Sequence, residues 1–573
     1  MTIEKLETLK DLFSYSTEKY SANKAFGYSK GIIYTYSDFK EKTELADKLL
    51  TSSGTGPGQK VAILSQNMPN WPVAYFAATA FGRIAVPILP DFSENEVRNV
   101  IEHSETSAIF VSERLLYKIP ADIRERIPVI MLDTLTRANN AMSSAESVEG
   151  YGKPDDLASL IYTSGTTGNS KGVMLSHKNL CKHLYSACLL RPGYEWDIWL
   201  SVLPLSHTLE SSLSMMLPMA SGASVYYIEK APTPTMLIQA LKDVRPTTML
   251  SVPMIIEKIY RASVLPTFQS GKIISAVYKT TVGRKLLNRL AGKKLMKVFG
   301  GRLRFFGIGG AKLDGEVEKF LYESRFPYAI GYGLTESSPL LAGAIPSNVK
   351  WQSTGPAVHG VSLRIDNPNP ATGEGEIVAK GPNIMMGYYK NPEATAEAFT
   401  EDGWFRTKDL GIIDKSERLY IKGRLSNMII GPSGENIYPE EIEEVINTHS
   451  MVAESIVTEN KGKLVALVHF NPEKLKALQE AKEEALESYY QTKEQLIKSY
   501  GEKKEQIVKF YEEKKEETIK IFNEKIEQLK TEVLEYVNSR VNKFSKISLI
   551  QDHPMQFEKT ATQKIKRYLY RQK

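Results

Sequence analysis

At 573 residues, with 42% hydrophobic and 24% charged, the chain holds about four units of roughly 150 residues, and its composition excludes disordered and fibrous classes. Lys and Arg number 73 against 67 Asp and Glu, a net charge of +6; over this length so slight a surplus does not point to nucleic acid. Cys181 and Cys188 are the only cysteines, too few for a disulfide framework or a four-cysteine zinc site, so a reducing, cytoplasmic compartment is expected.

The N-terminal stretch MTIEKLETLKDLFSYSTEKY has no apolar core of signal-peptide length, and no run of about 18 apolar residues occurs. The sequence thus predicts neither a secretory address nor a membrane span. From Met1 to about residue 425, short apolar runs such as Lys60 to Ser65, Ala85 to Ile88 and Ala108 to Val111 alternate with helical periods. That alternation predicts a large α/β domain of mixed or parallel sheets covered by helices. The stretch GEGEIVAKGPNIMMG, residues 373–387, reads instead as short strands with glycine turns, a β-rich subregion. A small α+β domain is expected over 426–573, with a strand at Leu464 to Phe470.

Into that domain a different texture intrudes over about 473–540. These 68 residues carry 14 Lys/Arg and 16 Glu, no proline, and Gly501 as the one glycine, which is helix composition. An eleven-residue repeat runs through them: Tyr489, Tyr500, Tyr511 and Phe522 form one column and Leu496, Ile507, Thr518 and Leu529 a second. Eleven residues make nearly three helical turns, so each column becomes an apolar stripe flanked by charge. One unbroken helix would put its ends roughly 100 Å apart, whereas Leu464 to Phe470 and Ile547 to Ile550 are expected in one small domain. The segment is therefore predicted to fold back as a helical hairpin, with its turn between Tyr500 and Thr518. A solvated hairpin, a self-association surface and a peripheral lipid contact are all open roles for it.

The densest chemical signal is YTSGTTGNSKG, Tyr162 to Gly172, between the apolar runs LASLI and VMLSH. Backbone N–H groups and hydroxyls of such a loop can wrap a polyphosphate, with Lys171 as countercharge; an ordinary surface loop has the same composition. It is not a Walker A sequence, and neither GYG nor GIGG completes G-x-G-x-x-G.

At this loop the sequence resembles the adenylate-forming superfamily, which includes acyl-CoA synthetases and luciferase-like enzymes. GYGLTESSP (331–339), GWFRTKDLG (403–411), YIKGR (420–424), NIYPEEIE (436–443) and TATQKIKR (560–567) match its later core motifs in order. LPLSHTLE (203–210) and NIYPEEIE are most similar to bacterial long-chain fatty acid:CoA ligases. The resemblance implies ATP, Mg²⁺ and coenzyme A, and a carboxylic acid activated by attack on the α-phosphate. A carboxylate meeting a triphosphate needs a divalent ion and N–H or cationic donors where charge develops.

Residue by residue, the resemblance implies phosphate contacts from Thr163, Ser164, Gly165, Thr166, Thr167, Gly168, Lys171 and Thr335, with Glu336 holding Mg²⁺. Tyr332 and Gly333 on one side, and Gly309, Gly310 and Ala311 on the other, would enclose the adenine; Asp409 and Arg424 would contact the ribose. Lys564 matches the lysine that bridges carboxylate and phosphate, although Gln563 replaces the family's preceding glycine, with Lys559 and Lys566 as alternatives. Ser426 takes the position of the hinge about which the small domain is mobile. Gly434, Glu435 and Asn436 match the segment beside the pantetheine channel, and His207 the mouth of an acyl tunnel walled by Leu203 to Met219. A ligase loading a carrier-protein phosphopantetheine and a non-catalytic adenylate-binding scaffold are the other readings. No nucleic-acid partner is expected.

Overall fold

The computed structural model describes residues 2–163, 171–229, 233–269, 271–430, 436–460, 462–499, 504–559 and 565–570. Ser164 to Gly168, Gly434, Glu435 and Lys564 lie outside them. The described residues fall into two units that divide between Ile421 and Lys422.

The larger unit is built on two eight-stranded sheets. In one, Lys171–Ser176, Leu157–Thr163, Ile84–Ile88, Lys60–Leu64 and Thr106–Val111 lie side by side in that order. The strand KVAIL is flanked by parallel partners on both sides. Its residues Val61 to Leu64 are all buried, as expected of a strand covered on both faces, where apolar residues run on without alternation. The other sheet orders Leu340–Gly343, Tyr328–Gly333, Phe305–Ile308, Thr248–Ser251, Ile198–Ser201, Ser224–Tyr227 and Lys24–Tyr28 before its edge strand Ile33–Thr35. One core joins the two sheets: Phe26, Trp199 and Val225 of one pack in a single cluster with Val61, Ala85 and Val173 of the other. The helix Asn70–Thr79, apolar on every side, is buried along its whole length in that cluster.

Helices start where the sequence supplies caps. Ser93 and Glu96 form a reciprocal capping box for Glu94–Ser104, and Ser176 with Asn179 does so for His177–Leu190. The β-rich subregion is a four-stranded sheet of Ser362–Asp366, Gly375–Lys380, Phe405–Ile413 and Leu419–Arg424. Within the 373–387 stretch, Gly375–Lys380 belongs to this sheet, whereas Gly387–Tyr388 pairs with Lys171–Ser176.

The smaller unit contains an antiparallel pair, Val452–Asn460 and Lys463–Phe470, extended by the parallel strand Leu549–Asp552. A parallel neighbour needs a crossover connection. Here the crossover is a pair of long helices, Pro472–Ser499 and Lys504–Asn538. They run back along each other: the Tyr489 and Tyr511 rings lie 6.4 Å apart and Lys493 Nζ is 3.3 Å from a Glu512 oxygen. The inner end of the second helix is core, because Leu529, Val533 and Val537 pack with Ile442, Ala466 and Ile550.

The division at 421/422 falls inside the strand Leu419–Arg424, four residues before the boundary expected from sequence. The strand's last residues, Lys422 to Arg424, belong to the smaller unit. A Cβ on Gly423 would stand 3.2 Å from both Tyr438 and Glu440, and Asn427 Nδ2 donates to Glu440 at 2.7 Å.

Candidate active site

In the larger unit, candidate residues collect where strands end. Phe305–Ile308 and Tyr328–Gly333 are parallel neighbours, and Gly309 and Gly310 continue from the first while Tyr332 and Gly333 close the second. Ligands in α/β sheets bind beyond such carboxyl ends. Gly309 is buried, Gly310 and Ala311 are exposed, and Gly310 has φ +86°, a conformation that suits glycine. Gly333 has a steric reason of its own: a Cβ there would lie 1.8 Å from the Pro339 carbonyl oxygen.

Tyr332 and Asp409, expected at adenine and ribose, are brought together: the tyrosine hydroxyl donates to Asp409 Oδ2 at 2.9 Å. Asp409 is buried and owes its aim to a bulge. Glu376 pairs with Leu410 but Val378 with Arg406, so Phe405–Ile413 carries extra residues at Thr407 to Asp409, and Lys408 takes φ +59°. Thr407 Oγ1 fastens the bulge, donating to Ile377 O at 2.7 Å and accepting from Asp409 N at 3.1 Å.

A second group assembles around Glu336. Thr335 to Ser337 form one turn of 3₁₀-helix in which Thr335 is buried. The turn is clamped from below: Asn383 Nδ2 donates to Ser337 O and Leu340 O, and Ser338 Oγ donates to Asn383 O. Tyr388, which the sequence reading did not single out, donates its hydroxyl to Glu336 Oε1 at 2.9 Å. Lys171 Nζ sits 4.9 Å from the centre of the same ring, a cation–π distance. Burial and the adjacent carboxylate push the Tyr388 phenol well above its ordinary range, so it stays a hydrogen-bond donor.

The local reason is strand pairing. Gly387 and Tyr388 pair with Met174 and Val173, Met385 N donates to Glu336 O, and Asn179 Nδ2 holds Pro382 O and Ile384 O at 2.8 Å. The next residue, Tyr389, points the other way and donates to Glu105 Oε2 at 2.8 Å. Across the same sheet Thr163 is the register partner of Lys171.

Among the described residues no cluster of three His, Cys, Asp or Glu side chains could cage a metal. Mg²⁺ needs no cage, since it keeps waters and takes one or two carboxylates plus phosphate oxygens; Glu336, with Oε1 held by Tyr388, fits that demand.

His207 is half-buried at the N-terminus of Thr208–Glu210, where Nδ1 accepts from Leu209 N at 3.5 Å. Beside it lies a residue absent from the sequence-derived set. Glu210 is fully buried, accepting from Ser201 Oγ at 2.5 Å and Ser214 Oγ at 3.1 Å. Burial pushes its carboxyl up to about 7. Within the stretch Leu203 to Met219, Met215, Met216 and Met219 are all buried.

In the smaller unit, Arg424 ends its strand and accepts at its carbonyl from Asn427 N and Met428 N. Ser426 is exposed in the turn that follows. Asn436 and Ile437 form a short strand with Ile429 and Ile430. Two motifs read separately in the sequence meet here: Arg567 is ion-paired with Glu443 of NIYPEEIE, whose buried carboxyl is raised by desolvation. The lysines flanking Lys564 are engaged, Lys559 with Glu454 at 2.5 Å and Lys566 with Glu558 at 3.7 Å.

A family profile described as AMP-binding enzyme matches residues 13–389. The chain belongs to the AMP-binding enzyme family. It is 31% identical over 446 residues to the long-chain-fatty-acid–CoA ligase FadD15 of Mycobacterium bovis, covering 71% of this chain and 72% of that protein. It is 30% identical to the long-chain-fatty-acid–CoA ligase heimdall of Drosophila melanogaster, covering 77% and 72%. Among solved structures, the o-succinylbenzoate CoA synthetase MenE of Bacillus subtilis, in complex with its acyl-adenylate intermediate, superposes with a TM-score of 0.72 at 21% identity, covering 98% of each chain. That likeness shows a shared fold.

Proposed function

We propose that this protein is an AMP-forming long-chain fatty acid:CoA ligase. The observation that carries the reading is the pairing of Tyr332 with Asp409, and of Tyr388 with both Glu336 and Lys171, in a chain whose named relatives are long-chain ligases. A carboxylate oxygen of the fatty acid attacks the α-phosphorus of ATP, the bond to the β-phosphate oxygen breaks, and pyrophosphate leaves. The thiol of coenzyme A then attacks the acyl carbonyl and AMP departs.

In this reading Tyr332 stacks on adenine against Gly309, Gly310 and Ala311, and Asp409 accepts from the ribose hydroxyls together with Arg424. Thr163 to Lys171 and Thr335 hold the phosphates. Mg²⁺ on Glu336 would neutralise charge developing on the phosphate oxygens. Lys564 supplies positive charge where carboxylate and phosphate meet, His207 stands at the acyl entrance, and Ser426 marks the swivel between half-reactions. The chain works in a reducing cytoplasm, where Cys181 and Cys188 are free thiols; no described helix is long and apolar enough to cross a membrane.

The test is pyrophosphate release from ATP and Mg²⁺ across saturated acids of graded length, with hydroxylamine trapping in the presence and absence of coenzyme A. Release that peaks with long acids, and thioester formed when coenzyme A is added, are expected. Release without any acid preference removes the long-chain assignment. Hydroxamate that never converts to acyl-CoA moves the acceptor to a carrier-protein thiol.

A further inference from the structure

We propose that the outer face of two helices in the larger unit, Lys272–Lys279 and Thr281–Val298, docks the protein on an anionic lipid surface. This inference stands apart from the nucleotide site and does not depend on it. Over residues 272–298 there are eight Lys or Arg and no Asp or Glu, so this short stretch alone carries a larger positive surplus than the +6 of the whole chain.

The same stretch exposes aliphatic side chains. Ile273 and Val282 are each 81% exposed, Leu286 58% and Leu290 51%. Val282, Leu286 and Leu290 recur every fourth residue and form one row along the helix. Lys285, Arg289, Lys293, Lys294 and Lys297 are exposed beside and beyond that row. The helix cannot turn this face inward, because the opposite one is already sealed. Gly283, Asn288, Gly292 and Leu295 are buried, and a Cβ on Gly292 would stand 2.6 Å from Ser324 Cβ of the helix Gly315–Ser324. Arg284 is drawn to the sealed side, its Nε and Nη2 both donating to Glu323.

Charge and apolar surface together select the occupant. A helix with aliphatic residues on its outer face and lysines and arginines around them lies in the interface plane of a bilayer, its apolar row among the acyl chains and its cations at the headgroups. A nucleic acid would satisfy the cations but leave Val282, Leu286 and Leu290 in water. Its usual partners are basic grooves interleaved with aromatic rings. A second copy of the chain meeting this face about a two-fold axis would set the same cations against themselves.

The experiment is co-sedimentation of the full chain with vesicles of phosphatidylcholine alone and of phosphatidylcholine mixed with phosphatidylglycerol, over a range of salt. Binding to the mixed vesicles that weakens with salt is expected. The variant Leu286→Gln/Leu290→Gln should bind at least about tenfold more weakly while keeping the salt dependence. Lys285→Gln/Arg289→Gln/Lys293→Gln should bind as weakly and lose most of that dependence. All substituted side chains are exposed, so thermal midpoints should match the wild type. The proposal is overturned if the two vesicle types bind equally, if both variants bind like the wild type, or if an oligonucleotide displaces the mixed vesicles through this face.

Discussion

Tyr388 touches two charges of the candidate site at once, and that makes its hydroxyl a useful probe. Removing it in Tyr388→Phe leaves the ring under Lys171 but frees Glu336 Oε1. Loss of a partner that orients a metal ligand typically costs 10- to 100-fold in metal affinity, so we expect a shift of roughly that size in Mn²⁺ binding in the presence of ATP, measured by electron paramagnetic resonance. An unchanged titration would mean that the hydroxyl does not orient the carboxylate. At Gly333 the expectation concerns stability. A methyl group 1.8 Å from a carbonyl oxygen forces the backbone apart, and Gly333→Ala should cost at least about 3 kcal/mol, read from the denaturant midpoint.

Glu210 makes a prediction in pH. Its folded value, about 7, lies above the ordinary 4.5, so the protein favours the protonated form. The stability this contributes is complete below pH 4.5 and is lost as pH rises through 7, a swing of up to about 3 kcal/mol. In Glu210→Gln that swing should vanish: relative to the wild type, the variant gains stability between pH 4.5 and 8, measured by denaturation at each pH. Glu336, Tyr332 and Asp409 were legible in the sequence because each lies inside a motif. Tyr388 lies one residue beyond the GPNIMMG stretch that reads as strand and turn, and Glu210, although inside LPLSHTLE, carries no mark of its burial. What makes Tyr388 notable is its partners far away in sequence, Glu336 and Lys171, and what makes Glu210 notable is its burial.

Among the elements, the two long helices show where periodicity informs and where it misleads. Composition and the eleven-residue repeat predict helix and a return of the chain, and the described helices end at Ser499 and restart at Lys504, with Tyr500 and Gly501 outside the described residues. The repeat does not reveal that its last member is core: Leu529 is buried and packs with Val533 and Val537 against residues of the smaller unit's sheet, whereas Phe510 and Ile521, off the columns, are exposed. Replacing the whole of 473–540 by a linker would therefore remove part of a hydrophobic core. Leu529→Ala should destabilise by about 2–5 kcal/mol in a thermal melt. Exchanging only the outer part, residues 486–515, for a short Gly/Ser linker should leave the thermal midpoint within a few degrees. A collapse on that exchange would show that the outer arms hold the unit together.

For the molecule as a whole, the alternation of apolar runs and helical periods made the α/β class readable. The order of strands was not readable, because it depends on contacts between segments hundreds of residues apart: Lys24–Tyr28 lies beside Ser224–Tyr227, and Gly387–Tyr388 beside Lys171–Ser176. The division of labour between the units gives the last expectation. If Lys564 supplies charge only while carboxylate meets phosphate, Lys564→Ala should nearly abolish acyl-adenylate formation yet still turn supplied acyl-adenylate into thioester. Equal loss of both half-reactions in a folded variant would take that role away.

The two adjacent tyrosines at 388 and 389 set a frame as strict as that of a codon. Pleated backbone sends neighbours to opposite faces, so one phenol reaches Glu336 and the next reaches Glu105. Inserting or deleting a single residue between Asn383 and Gly387 would shift both tyrosines by one place and turn each to the opposite face of the strand. The segment should therefore accept many substitutions and no change of length, a pattern that deep mutational scanning with indels would display as a narrow gap beside well-tolerated neighbours.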